Sequence, residues 1–382
     1  MEYKKIGDLT NVITGGTPST AKSEYWDSGD IPWLQSGCCQ NCDVDFAEKY
    51  ITQEGYDNSS TKLMPKNSVM IALTGATAGK IGYLNFEACG NQSITGILPC
   101  KVLNQRYLFY FLLSQRKKIL ADCIGGAQPH ISQGYVKNIQ VPILSLKKQK
   151  EIVDTLSCLL GIINKRQDEI RLLDNLIKAR FVELFGDPVN NEKGWITDTV
   201  DNLCKEIYGG GTPSKVHPEY YEDGDIPWVS SKDMKTDILI DSQIKINQMG
   251  VENSTARLVP VNSVIMVIRS GILKHTLPVA INIVPITVNQ DLKVFIPSER
   301  ILTRFLAVQF KMHEKDILTG VRAVTADNIE FNSLKQRKLI VPSIELQQEY
   351  VLFLEQVDKS KVVDTNIIPE GGFYYGDKFF IS

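Results

Sequence analysis

Five consecutive letters occur twice in this chain, and that repetition limits its fold more than any other feature. Gly15-Gly16-Thr17-Pro18-Ser19 returns as Gly210-Gly211-Thr212-Pro213-Ser214, a step of 195 from 15 to 210. The step then holds. Tyr25, Gly29-Asp30-Ile31-Pro32-Trp33 and Ser36 match Tyr220, Gly224-Asp225-Ile226-Pro227-Trp228 and Ser231, and Asn67-Ser68-Val69 matches Asn262-Ser263-Val264. Chance does not keep one register for so long, so the chain is read as two copies of one domain. Beyond Thr74 and Arg269 the step drifts, pairing Asn91-Gln92 with Asn289-Gln290 and Val141-Pro142 with Val341-Pro342, as loop insertions would produce.

Each copy reads as mixed α/β. The Gly-Gly-Thr-Pro-Ser and Gly-Asp-Ile-Pro-Trp segments are turn chemistry, because glycine reaches positive φ and proline fixes the φ of its own position. Val69 to Leu73 and Val264 to Ile268 are short apolar runs bounded by turn formers, which predicts buried strands. Tyr107 to Lys118 predicts a helix, with Phe305 to His313 as its counterpart.

Between the copies the pattern changes. From about Leu146 to Phe185, Ile152, Leu156, Leu159, Ile163, Ile170, Leu173, Ile177 and Leu184 repeat at steps of four and three, with Arg166 and Arg180 on the missing beats. A helix of that length, roughly 60 Å at 1.5 Å per residue, must lie along another long helix. The candidate begins after Pro342, with Leu346, Tyr350, Leu354 and Val357. If the two helices run antiparallel, the tandem repeat becomes a pseudo-two-fold, suited to a ligand that is itself nearly two-fold, such as duplex DNA. The expected division is 1-144 and 187-342 for the two domains, 145-186 and 343-363 for the helices, and 364-382 for a tail with no counterpart in the first copy.

Composition narrows the function. A chain of 382 residues has room for two or three domains with full cores. No run of eighteen apolar residues and no charged-then-apolar leader is found, which predicts a cytoplasmic protein without membrane contact. Lys and Arg total 42 against 44 Asp and Glu, a formal charge of -2, so any nucleic-acid contact must come from local patches or with a partner's help. The eight cysteines read as reduced thiols. Cys38, Cys39 and Cys42 cluster, but a zinc site needs a fourth ligand, and His130, His217, His275 and His313 are far from them in sequence, so no metal is expected.

The duplicated segments, together with Thr74 to Gly82 (TGATAGKIG), Gly126 to Ser132 (GAQPHIS) and the helix ending Leu184-Phe185-Gly186-Asp187-Pro188, closely resemble the specificity subunit of type I restriction-modification systems. The resemblance runs from residue 1 to about 362. It implies two target-recognition domains of α/β (α+β) type joined by long antiparallel helices forming a coiled coil. Each domain would read one half of a split site in double-stranded DNA, the helices would dock two methyltransferase subunits, and restriction (translocase) subunits would join the same assembly. The second helix, ending near Val363, is about half as long as the first, a departure from the family pattern.

The residues themselves agree with a reader rather than a catalyst. Gly75 to Lys80 looks like a nucleotide-binding loop but has Thr74 where glycine is required and Ile81 where Ser or Thr is required. No tetrad for amino-methylation of a flipped base occurs, so no catalytic residue is assigned. S-adenosylmethionine, ATP and magnesium are expected on the partner subunits only. For reading base edges the useful groups are Asn and Gln for adenine and Arg or Lys for guanine. The first copy offers Gln35, Lys80, Gln92, Gln128 and His130. The second offers Lys232, Arg269, Lys274, His275, Gln290 and Arg322. Gln92 and Gln290, sharing an Asn-Gln pair, are equally open to a structural capping role. The other class of function left open is a non-catalytic coiled-coil adaptor with two ligand-binding lobes not specific for DNA.

Overall fold

The computed structural model describes residues 2–122, 130–319, 322–323, 327–365, 372–375 and 378–381. It forms two compact units, Met1–Gln167 with Thr365–Ser382, and Asp168–Asp364. Their boundary passes through the long helix Leu146–Phe185, whose 40 residues match the expected span.

In the first unit, Val69–Ala72, Ile81–Leu84 and Ile94–Ile97 are buried at every position. Both faces of these strands are covered, which is why their letters run apolar instead of alternating. They lie in a five-stranded sheet in the order Val12–Thr14, Ile94–Ile97, Val69–Ala72, Ile81–Leu84, Cys42–Val44, antiparallel except for the last pair. A second sheet has the order Lys49–Ile51, Ile31–Leu34, Ala88–Gly90, Leu63–Met64. Helix Gln105–Ser114 packs Leu108, Phe109 and Leu112 into a core with Val69, Ile71 and Ile81.

The single helix expected from Tyr107 to Lys118 is two. Asn104 caps its start by accepting from the N–H groups of Arg106 and Tyr107, two residues earlier than the apolar pattern indicates. At its end Gln115 N–H splits between Phe111 and Leu112 carbonyls, both at 3.1 Å, and a new helix runs Arg116–Ala121. Ser114 also donates its hydroxyl to Phe111 O at 2.7 Å, a local competition that ends helices.

The second unit repeats the plan. Its five-stranded sheet has the order Cys204–Gly209, Leu292–Pro297, Val264–Val267, Val279–Asn282, Ile238–Leu239, again parallel only at the last pair. Thr303–Met312 is the covering helix.

The long helix is held at its start by Gln149, which is fully buried. Its amide donates to Val102 O (3.1 Å) and Leu144 O (2.9 Å), and its Oε1 accepts from Asn104 N–H (2.7 Å). Gln347 repeats this at the start of helix Ile344–Thr365, donating to Arg300 O (3.1 Å) and Pro342 O (2.9 Å) and accepting from Leu302 N–H (2.9 Å).

The end of the long helix and the C-terminal helix run antiparallel: Arg180 pairs with Glu349 at 3.0 Å, and Asp174 with Lys361 at 2.6 Å. Phe181 and Phe185 interlock with Tyr350, whose hydroxyl donates to Ile177 O at 3.0 Å. The apolar seam serves two neighbours instead of the one expected. Ile177 and Leu184 pack with the second core, whereas Ile152 packs against the first, and Leu159 is 50% exposed. The first turns lie on their own domain, so periodicity alone misassigned Ile152. Gly186, at φ 75°, ends the helix, and Pro188 follows, a glycine stop reinforced by proline.

Candidate nucleic-acid interface

The letters shared by the two copies build one lock. A Cβ on Gly15 would lie 2.0 Å from the Gly90 carbonyl oxygen, and one on Gly210 only 1.9 Å from that of Val288, so no side chain fits where this turn lies against a strand end. The next carbonyl is held by a tryptophan from the other shared segment: Trp33 Nε1 donates to Gly16 O, and Trp228 Nε1 to Gly211 O, each at 2.9 Å. The turn's threonine then donates to a glutamine, Thr17 to Gln92 Oε1 at 2.5 Å and Thr212 to Gln290 Oε1. Gln92 and Gln290 therefore have a structural role in both copies. Among the described residues the bond to each uses its Oε1, and both residues are exposed.

Around this lock the strand ends bring the candidate residues together. In the first domain Leu34 O, beside Gln35, accepts from Asn91 N–H at 2.9 Å. Ser93 O, beside Gln92, accepts from Leu73 N–H (2.8 Å), and Leu73 O accepts from Ile131 N–H (2.9 Å). Thr74 and His130 face each other as an antiparallel bridge. Gln35, Gln92 and His130 are exposed, and Lys80 closes the turn after Thr74 and donates to Gln40 Oε1. Gln35, Gln40, Cys38 and Cys42 line a groove of about 400 Å³. Gln128 lies outside the described residues.

The same connections recur in the second domain. Asn289 N–H donates to Val229 O (3.0 Å), Ile268 N–H to Asp291 O (2.9 Å), and Ile329 N–H to Ile268 O (2.8 Å). Arg269 and Asn328 form the bridge. Lys232, Arg269, Lys274, His275 and Gln290 are exposed around it. Lys232 lines a groove of about 930 Å³ that also contains Lys235, Ser270 and Lys311. Arg322 pairs through its backbone with Asn328, and its side chain lies outside the described residues.

The frame is thus common and the rim is not. Where the first domain presents Gln35, the second has Ser230, whose hydroxyl donates to Asp233 at 2.7 Å. Where the first has Thr74 and His130, the second has Arg269 and Asn328. Sequence reasoning missed Asn328 and Asp291. The signal was present in Asn328-Ile329, which aligns with His130-Ile131 once the drift from 195 to 198 is followed.

The turn at Gly75 is not a phosphate loop. Gly75–Thr77 is one short turn, Gly75 and Gly79 have positive φ, and a strand, Ile81–Leu84, follows where a nucleotide loop would open a helix. Among the described residues no group of three His, Cys, Asp or Glu side chains is placed to hold a metal. Cys39 is buried against the Cys38 thiol, and that hydrogen bond together with burial pushes its pKa well up. Among the described residues no helix is long and apolar enough to cross a membrane.

Each repeat thus has the same frame with different residues at its rim, and comparison with known proteins gives the class. The family described as the type I restriction modification DNA specificity domain matches residues 1–172 and 192–368, so both repeats are covered and the chain belongs to that family. The specificity subunit of the type I restriction enzyme EcoR124I/EcoR124II of Escherichia coli is 39% identical, over 97% of this chain and 89% of that protein. The MjaIX specificity subunit of Methanocaldococcus jannaschii is 24% identical over 91% of this chain and 84% of its own length. Among solved structures, the S subunit of a type I restriction-modification system from M. genitalium has the same fold, with a TM-score of 0.55, 17% identity, and coverage of 96% of this chain and 93% of that one.

Proposed function

We propose that this chain is the specificity subunit of a type I restriction-modification complex, with each repeat reading one half of a split DNA target. The observation that carries this is the pair of identical locks with different rims: one scaffold, built twice, presents Gln35, Lys80, Gln92 and His130 in one copy and Lys232, Arg269, Lys274, His275 and Gln290 in the other. On sequence alone, Gln128 is a further candidate for the first half-site and Arg322 for the second. Loops of this kind reach base edges in the major groove, where amides suit adenine and cationic side chains suit guanine.

In this reading the helices dock two methyltransferase subunits, which join the restriction subunits in the same complex. S-adenosylmethionine, ATP and magnesium are used by those partners, and this chain supplies the address without catalysing a step. The family match removes the ground for a DNA-independent adaptor. With a formal charge of -2 the chain neutralises few phosphates alone, so tight binding depends on partner subunits.

Sequencing methylated bases in DNA exposed to the chain assembled with its methyltransferase subunits tests the reading. A motif of two unlike short blocks at a fixed gap is expected; a single uninterrupted block would contradict it.

A further inference from the structure

The repeat turns the two domains into a matched comparison, and one pair of positions differs in a chemically telling way. Backbone bonds make Thr74, Ser93 and His130 equivalent to Arg269, Asp291 and Asn328: Leu73 N–H donates to Ser93 O as Ile268 N–H does to Asp291 O, and the bridges Thr74 to His130 and Arg269 to Asn328 coincide. The two loops are even tied alike, since Ser93 N–H and Asp291 N–H each donate at 3.1 Å to an asparagine Oδ1, of Asn91 and Asn289. On this common backbone the first domain carries a hydroxyl pair, Thr74 Oγ1 donating to Ser93 Oγ at 2.8 Å. The second carries an ion pair: Arg269 Nε meets Asp291 Oδ1 at 2.7 Å and Nη2 meets the same oxygen at 2.6 Å.

We propose that Arg269 reads a guanine in the second domain's half-site, that Asp291 is the positioning residue which aims it, and that Thr74 and Ser93 leave the first domain without this reader. The proposal rests on the split-site reading above. Asp291 engages one edge of the guanidinium and takes two of its five N–H bonds. The end of the fork, with N–H bonds on Nη1 and Nη2, matches the O6 and N7 acceptors of guanine. The Arg269 side chain is 48% exposed and that of Asp291 25%, so the arginine is the more open of the two partners and the carboxylate the more sheltered. Asp291 is itself held by Asn289, whose Nδ2 donates to its second oxygen at 3.2 Å. An unheld arginine would surrender its rotamer freedom on binding; this one has been ordered in advance. The adjacent carboxylate also cancels its charge, so the contact discriminates bases more than it attracts phosphate.

The test is the methylation motif of the full chain assembled with its methyltransferase subunits, read by sequencing a pool of randomised duplexes. The wild-type second half-site should contain a guanine for which the Arg269→Thr, Asp291→Ser double variant loses preference about tenfold or more, while the first half-site stays as it was. Arg269→Lys, which keeps the charge but not the fork, should lose the same preference, and Asp291→Asn should relax it partly, with Asp291→Glu restoring it. A motif unchanged in these variants would overturn the inference and leave the split-site reading standing, showing a plain surface ion pair. A wild-type half-site without guanine would overturn it too. A wild-type complex without a split motif would remove both.

Discussion

The Thr17 hydroxyl donates to Gln92 Oε1 at 2.5 Å, closing the Gly-Gly-Thr-Pro-Ser turn onto the strand end that carries Asn91, and Thr212 does the same to Gln290. The bond needs an acceptor on the glutamine and nothing more. Gln92→Glu keeps that acceptor and should leave stability within about 0.5 kcal/mol, whereas Gln92→Leu should cost about 1 kcal/mol. Urea denaturation of the two variants checks the difference, and equal losses would mean that the turn is held by other contacts.

A larger effect is expected at the buried glutamines. Gln347→Leu strands the N–H of Leu302 and the carbonyls of Arg300 and Pro342, each of which Gln347 now satisfies. Leaving buried polar groups without partners should cost about 3 kcal/mol or more, read as a shift of the denaturation midpoint. Gln149→Leu should do the same through Asn104, Val102 and Leu144.

His313 gives the fold a pH dependence. It is 3% exposed, and neither ring nitrogen has a partner among the described residues. Burial, reinforced by the nearby Arg337 cation, pushes its pKa down to about 4 from 6.5. A depressed pKa means that the unfolded chain takes up a proton that the folded one refuses between pH 6.5 and 4. Stability contributed by the neutral ring is therefore full above pH 6.5 and falls as the pH drops to 4, by up to about 3 kcal/mol. Denaturation of the wild type and of His313→Leu at pH 7 and pH 4.5 checks this. The variant should lose less stability on acidification, and parallel losses would contradict the assignment.

Much of this architecture is legible in the amino-acid sequence, and the remainder is hidden for physical reasons. The repeat is visible as letters because Gly15 and Gly210 leave no room for a side chain and Trp33 and Trp228 make the same bond in each copy. The long helix was legible because its apolar spacing is local. What could not be read locally was which neighbour each seam residue meets: Ile152 and Ile177 share a register but pack with different cores. Gln149 and Gln347 look like ordinary helix-surface residues, and only chain segments 45 to 47 residues away turn them into anchors. Candidate readers such as Gln35 and Lys232 follow from residue type in the repeated segments, not from matched positions; Asn328 escapes that reading because the register drifts and its equivalent is a histidine. Asp291 was missed because its importance lies in a side chain 22 residues distant.

The helix itself should set the gap between half-sites. Four residues inserted between Gln167 and Asp168 add about 6 Å and about one turn. Since B-DNA rises 3.4 Å per base pair, the gap should grow by nearly two pairs with both half-site sequences kept, or modification should cease through misalignment. Full activity at the original gap would mean that the helix is only a tether.

On the proposed reading, each repeat reads its own half of the target. The most direct measurement is the methylation motif after residues 1–144 are exchanged for the first domain of another family member, with the helices and the second domain left intact. One block of the motif should change to that of the donor while the other block, and the gap, stay as they were. A change in both blocks, or in neither, would mean that the repeats do not read separate halves.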